Sequence, residues 1–441
     1  MKKIIIAGGG HGGIGAAALL AKNGFDVTVY EKNSRENMGY DWTDIFDKKG
    51  LFAIGLGLPD DDKYALKNNM TFFSPSLGTR LKQHTPEDEL EIQMERRDIY
   101  DMLIGYAEEY GVKFCYETEI SSPILFGSRV VGIKTDKGDF YADLVIDAAG
   151  ASSPVRENLP EYFGIQNKTG NFEKFYVYRA FFERTADIPE DNFNVLLLHN
   201  GKLGISWVAI EEEHTDVLIG RFEPFDMAEV EATLASLRDS YPALGEKRVR
   251  GGQFVEIPVR QALPVMIADG YAAIGDSAFM TVPLIGSGIA NSLKAAKMLA
   301  DTVIADKNGE YTAETLYDYQ KRFFKELGSG LAPIACVKLA LTKISVDDVE
   351  YLFSSGVINA DDITMGADST SLAAMLGDVN LPDLKVKALG LIKDKALIKK
   401  LLPTVGSLAS VVSVCAAMPA KYNKKALLTW SRAYEKCFGN K

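Results

Sequence analysis

The chain has 441 residues, 47% of them apolar and 25% charged, a balance ordinary for a soluble globular protein and enough for two or three domains with their own cores. Its net charge of −11 argues against a general nucleic-acid partner, because phosphate contacts require a basic surface. Cys115, Cys336, Cys415 and Cys437 are far apart and the four histidines, at 11, 84, 199 and 214, do not cluster, so a reduced, cytoplasmic setting is expected and no metal site. Met1-Lys2-Lys3 runs directly into a strand that the fold needs, which argues against a cleaved signal peptide.

Residues 2–32 read as strand, helix, strand. Ile4-Ile5-Ile6-Ala7 is a short apolar run bounded by glycine, as a buried parallel strand requires; residues 16–22 read as helix, and Val27-Thr28-Val29-Tyr30 as a second strand. The turn after the first strand carries Gly8-x-Gly10-x-x-Gly13. Gly8 permits the tight turn, Gly10 brings the backbone close to a pyrophosphate, and Gly13 lets helix pack on strand, while free N–H groups at the helix start face the phosphate charge. Glu31 closes the second strand eighteen residues after Gly13, where a carboxylate accepts hydrogen bonds from an unphosphorylated adenosine ribose. These residues predict a dinucleotide site. His11, inside the turn, is expected to be a solvent-exposed loop residue.

Residues 33–58 are polar and irregular; Trp42 among them is expected to cap core, with stacking on an adenine or substrate ring as the other reading. Met70-Thr71-Phe72-Phe73 and Leu90-Glu91-Ile92-Gln93-Met94 alternate as strands of an inserted sheet, and 97–110 has helical spacing up to Gly111. Residues 130–134 and 140–146 read as two strands across the turn Asp136-Lys137-Gly138, the second rejoining the nucleotide-binding core at Asp147-Ala148-Ala149-Gly150. Strand-like runs at 175–178, 195–198 and 217–219, with a helix over 228–237, predict a mostly antiparallel sheet that floors a second domain. The opening logic returns at 271–278, an apolar strand ending in Gly275-Asp276, followed by Pro283-Leu284-Ile285-Gly286-Ser287-Gly288-Ile289 and a long alanine-rich helix. Asp276 can hold a sugar-like hydroxyl, and the glycines with the helix start offer bare N–H donors.

From 311 onward the pattern is largely helical. Residues 381–441 carry twelve Lys or Arg against three Asp or Glu, and this basic tail is assigned a separate role in contact with a membrane surface or another protein. The uncharged run 401–420 lies between Lys399-Lys400 and Lys421; Pro403 and Gly406 interrupt it, and Thr404, Ser407, Ser410 and Ser413 recur every third residue like a polar stripe. It is expected to be a helix buried in the protein, with an interfacial membrane helix as the second reading and a full span as the third.

Together these motifs resemble the flavoproteins of the para-hydroxybenzoate hydroxylase superfamily, and within them the geranylgeranyl reductase branch, over about residues 1–330. Gly8 to Glu31 is similar to the ADP-binding fingerprint for FAD, residues 143–150 occupy the family's second motif, and Gly275-Asp276 matches the motif whose aspartate binds the ribityl chain. Arg96 matches the family arginine near the FAD. Ile257-Pro258-Val259 and Gly204-Ile205-Ser206-Trp207, the latter similar to a Gly-Tyr-Ala-Trp segment, lean toward the reductase branch. Two departures stand out. The Phe-Pro that should follow the tryptophan is Ala209-Ile210, and the aspartate expected before Gly150 is Ala149, which counts against direct NADPH-driven hydroxylation.

The fold class expected is therefore α/β: a Rossmann-like FAD-binding domain (1–69, 95–171 and 262–330), an inserted mostly antiparallel β-sheet substrate domain (70–94 and 172–261), and a helical C-terminal region (331–441). The resemblance implies FAD held by Gly8, Gly10, Gly13, Glu31, Arg96, Gly275 and Asp276, with Pro283, Gly286, Gly288 and Ile289 beside the ring and electrons from NAD(P)H or another donor. Trp207, with Tyr178 and Arg179, is expected to line the substrate cavity; no catalytic residue is assigned. The function expected is an FAD-dependent oxidoreductase acting on carbon–carbon bonds of an apolar, isoprenoid or lipid-like substrate. The alternatives are an FAD monooxygenase of an aromatic or polyketide substrate, and a flavin- or lipid-binding protein without turnover. The purified protein should be yellow and its extracted chromophore should have the mass of FAD; a preparation that stays colourless after incubation with FAD overturns the assignment.

Overall fold

A computed structural model describes residues 1–165, 170, 173–366, 387 and 390–439. The first sheet has six strands in the order Ile267–Ala268, Tyr271–Ala273, Leu144–Asp147, Lys3–Ala7, Asp26–Tyr30 and Lys113–Cys115. Neighbours run parallel except at the edge hairpin of the first two. Lys3–Ala7 lies inside this sheet with Ile4 to Ala7 buried, and coverage of both faces is why it reads as a continuous apolar run. The helix His11–Lys22 packs against Ile289–Ala305 so closely that a Cβ on Gly12 would come within 2.9 Å of the Ser292 carbonyl oxygen.

The strand expected over 140–146 is two strands. Gly138–Tyr141 pairs with Arg129–Thr135 in a separate antiparallel sheet completed by Ile120–Phe126, and Leu144–Asp147 enters the six-stranded sheet. Asp143 breaks the run because it is a polar corner, accepting from the Lys3 N–H at 2.8 Å and from Lys2 Nζ at 3.3 Å.

A seven-stranded sheet follows, ordered Leu244–Pro258, Lys174–Arg184, His214–Arg221, Gly204–Ile210, Phe193–Leu197, Thr71–Phe73 and Arg80–Lys82. Its pairs are antiparallel apart from Phe193–Leu197 with Thr71–Phe73. The helix Met227–Ser240 covers one face through Val230, Leu234 and Leu237. The stretch 90–94 does not join this sheet. Ile92–Glu95 pairs instead with Thr43–Phe46 and Tyr64–Leu66, so the segment read as irregular supplies a strand. Four residues are too few to show a period against polar flanks.

The C-terminal helices include Ser329–Leu341, Val346–Ser354, Ala360–Gly366, Lys395–Ala416 and Lys424–Lys436. Lys395–Ala416 corrects the expectation of a buried helix: only 11% of its most apolar stretch is buried. The polar stripe also fails to form, because a three-residue repeat falls about 60° short of a full turn at each step. Thr404 and Ser407 are consequently half-buried while Ser410 and Ser413 are exposed.

Asp147, at the end of its strand and fully buried, ties distant segments together. Its Oδ1 accepts from the Ala149 N–H at 3.1 Å and the Ser277 hydroxyl at 3.0 Å; its Oδ2 accepts from Ser153 at 2.6 Å and the Tyr271 hydroxyl at 2.8 Å. Asp147→Ala strips these buried donors of their acceptor and should lower stability by about 3 kcal/mol in chemical denaturation. A variant as stable as the parent would remove Asp147 from this role.

Candidate active site

Because the sheet is parallel, the turns after Lys3–Ala7, Asp26–Tyr30, Leu144–Asp147 and Tyr271–Ala273 share one edge, and the motifs converge there. Gly8 has φ +90°, and a Cβ on it would lie 2.5 Å from Ala149 Cα. One on Gly10 would come within 2.8 Å of the Ala148 oxygen, and one on Gly13 within 2.5 Å of Ala148 Cβ. The second motif is thus the wall on which the first closes, and only bare backbone fits between them. Glu31 Oε2 accepts from the Gly9 N–H at 2.7 Å and Oε1 from the Asn33 N–H at 2.9 Å, which fixes the carboxylate and leaves lone pairs for ligand hydroxyls.

Gly275 has φ +64° and sets Asp276 at the same edge. Asp276 Oδ1 accepts from Thr281 Oγ1 at 2.9 Å. The carboxyl lies deep in the fold yet opens on the cavity; burial pushes its pKa up, against the Thr281 hydrogen bond. Gly286, Gly288 and Ile289 line the cavity as well. Pro283 does not: the loop folds back on itself through Val282 N–H to the Ser287 oxygen at 2.8 Å and Gly286 N–H to the Val282 oxygen at 3.0 Å, burying Pro283 and turning Leu284 and Ile285 to the cavity.

Arg96 also reaches the cavity wall, but its guanidinium is engaged: Nε and Nη2 donate to the two Asp44 oxygens at 2.6 and 2.5 Å, and the group lies over Tyr40 at 4.9 Å and Trp42 at 5.9 Å. His11 is not a solvent-exposed loop residue. It begins the first helix and stacks on Tyr100 with ring centroids 4.5 Å apart, and its covered Nε2 has no hydrogen-bond partner among the described residues. Burial, reinforced by Arg96, lowers its pKa to about 4, so the ring is neutral at pH 7.

The expectation that Tyr178 and Arg179 line the cavity together is corrected, because a strand cannot place adjacent side chains on one face. Arg179 faces the cavity with Val177, while Tyr178 turns the other way, under Met227–Ser240 and 5.2 Å from the Phe254 ring. Arg179 is buried and fully engaged. It donates from Nε and Nη2 to Asp216 at 2.9 and 2.6 Å, and from Nη1 and Nη2 to the Thr43 carbonyl and hydroxyl at 2.6 and 2.7 Å. Its guanidinium stands 5.7 Å from the Trp42 ring and 5.0 Å from Trp207. Both indoles line the cavity, and neither Nε1 has a hydrogen-bond partner among the described residues.

These motifs border one cavity of about 1210 Å³. It passes Phe72 and Leu197 and ends among Val337, Leu341, Leu352 and Phe353 of the C-terminal helices, a chamber with no local signature in the sequence. The ion pair of buried Lys67 with half-buried Glu91, at 3.0 Å, lies on its wall and likewise has no local signature in the sequence. The donor set fits FAD: bare N–H groups at a helix start for the pyrophosphate, Glu31 for the ribose, and Asp276 for the ribityl chain.

Fold and site together define an FAD-dependent oxidoreductase. Residues 6–57 match the model of the NAD(P)-binding Rossmann-like domain. Over 390 residues the chain is 22% identical to the digeranylgeranylglycerophospholipid reductase of Sulfolobus acidocaldarius, with 85% of each protein covered. A geranylgeranyl bacteriochlorophyll reductase-like protein of Thermoplasma acidophilum superposes with a TM-score of 0.73 at 18% identity, covering 91% of this chain and 99% of the other. The myxobacterial chondrochloren halogenase, a variant of the FAD-dependent halogenases, superposes with 0.61 at 18% identity over 89% of this chain and 97% of its own. The fold is that of the geranylgeranyl reductase-like flavoproteins, the branch that the motifs resemble.

His199 is buried between Ser206 and Ser236, each 3.2 Å from a ring nitrogen, and burial, with Arg221, lowers its pKa to about 4 as well. The unfolded chain protonates both imidazoles near pH 6.5, whereas the folded one resists protonation down to about pH 4. Their contribution to stability is therefore complete above 6.5 and lost as the pH falls toward 4. Denaturation midpoints measured across this window should decline, and His11→Asn and His199→Asn should each flatten the decline; an unchanged slope in both variants would contradict the assignment.

Proposed function

We propose that this protein uses FAD to reduce carbon–carbon double bonds in an apolar isoprenoid or lipid-like substrate. The observation that carries the reading is the cavity, which joins the flavin motifs to the apolar chamber among the C-terminal helices without a break. A chamber of that shape accepts a long hydrocarbon chain along its length and excludes water from the reacting carbons. When bound, the flavin supplies hydride. The chain's own residues hold and orient: the glycine turn, Glu31 and Asp276 would face the cofactor, while Trp42 and Trp207 give the cavity wall apolar ring surface against which a hydrocarbon chain can lie.

The relative named digeranylgeranylglycerophospholipid reductase supports an isoprenoid substrate. Electrons come from NAD(P)H or another reductant; Ala149, in place of the aspartate that hydroxylases use with FAD and the nicotinamide donor, favours reduction over hydroxylation.

Anaerobic incubation of the FAD-loaded, chemically reduced protein with unsaturated isoprenoid lipids should give products carrying two more hydrogens per reduced bond, detected by mass spectrometry. Oxygenated products in air, or a flavin that no isoprenoid reoxidises, would overturn the reading. Leu341→Trp, which fills the far chamber, should lower kcat/KM about tenfold on long chains and leave short ones nearly unaffected. Equal effects on both would separate the chamber from chain binding.

A further inference from the structure

The helix Lys395–Ala416 is apolar on both sides, a pattern of helices that are covered all round. Its inner face is occupied: Leu397 and Leu401 join Leu341, Leu352 and Phe353 in the apolar cluster at the far end of the cavity, and Leu408 and Val411 pack on the main core. Its outer face is bare among the described residues. Leu402 is 64% exposed, Val405 61% and Val412 44%, and Ala409 and Ala416 are exposed beside them. Steps of three and four residues put these five on one stripe, about 21 Å long. Water alone seldom faces so continuous an apolar stripe.

Exposed lysines bracket it. Lys395 and Lys399 precede the stripe, and Lys421, Lys424 and Lys425 follow it, within a tail of twelve basic and three acidic residues. We propose that this face is a docking surface for an anionic lipid bilayer, the helix lying flat with its apolar stripe at the acyl boundary and the lysines among the headgroups. A span would have to free the inner face from the core it already covers. A second copy of the chain would set lysine clusters of like charge against one another across a two-fold axis. A bilayer satisfies both the stripe and its charged ends. This inference stands apart from the reductase reading; where both hold, docking brings the far end of the cavity to the surface from which a lipid chain would pass inward.

Flotation of the full-length, FAD-loaded protein with vesicles tests it. The protein should float with phosphatidylglycerol-containing vesicles, be released by salt, and stay behind with pure phosphatidylcholine. The combined Leu402→Ser, Val405→Ser and Val412→Ser variant should bind at least about tenfold more weakly with unchanged flavin content, since all three side chains face outward. Lys395→Gln with Lys399→Gln should weaken binding roughly thirtyfold. The proposal falls if the parent floats with neither vesicle, or if the serine variant floats like the parent. It also falls if the parent is a dimer that the serine substitutions dissociate, since the face would then be a contact between copies.

Discussion

A single buried carboxylate holds the cofactor edge of this fold in register. Asp147 takes four hydrogen bonds from residues as far apart as Ala149, Ser153, Tyr271 and Ser277. In a low-dielectric interior such a group is tolerated only when its lone pairs are used, and here each donor belongs to a segment that must sit at a fixed distance from the others. Ala148-Ala149 is thereby pressed into the space left by Gly8, Gly10 and Gly13, and Gly275-Asp276 is drawn beside it. Wherever the tie slackened, the glycine turn would lose its wall and the helix start its aim.

The second constraint is a buried charge pair. Arg179 and Asp216 are both taken out of water, and such pairs seldom add net stability against an apolar alternative. Their geometry does something else: the guanidinium is pinned by Asp216 and Thr43 between two indoles, so Trp42, from the bend just before the strand Thr43–Phe46, and Trp207, from the seven-stranded sheet, are held about one cation. All three side chains lie on the cavity wall.

The C-terminal helices extend the cavity beyond the sheet, and one of them serves two environments. Leu397 and Leu401 pack behind Leu341, Leu352 and Phe353 at the end of the chamber while Leu402 and Val405 lie on the surface. Adjacent positions on a helix point about 100° apart, so a run that is apolar throughout supplies both faces at once.

The glycine turn with its flanking strands, Glu31, the Gly275-Asp276 turn, the sheet of alternating strands and the basic composition of the tail were legible in the sequence, because each depends on residues close in the chain: a turn, a period or a local charge excess. What lay beyond it were relations between segments. Alternation says that only one of Tyr178 and Arg179 faces the cavity, but which one follows from the side on which Met227–Ser240 packs. His11 reads as a loop residue until Tyr100 stacks on it, and Thr43–Phe46 becomes a strand only beside Ile92–Glu95. The sequence by itself determined the strand, the glycine turn and the carboxylates Glu31 and Asp276 that meet at one edge of the sheet; the depth and lining of the cavity, and the bare face of the last long helix, were decided by tertiary packing, since burial belongs to what surrounds a side chain and not to the side chain alone.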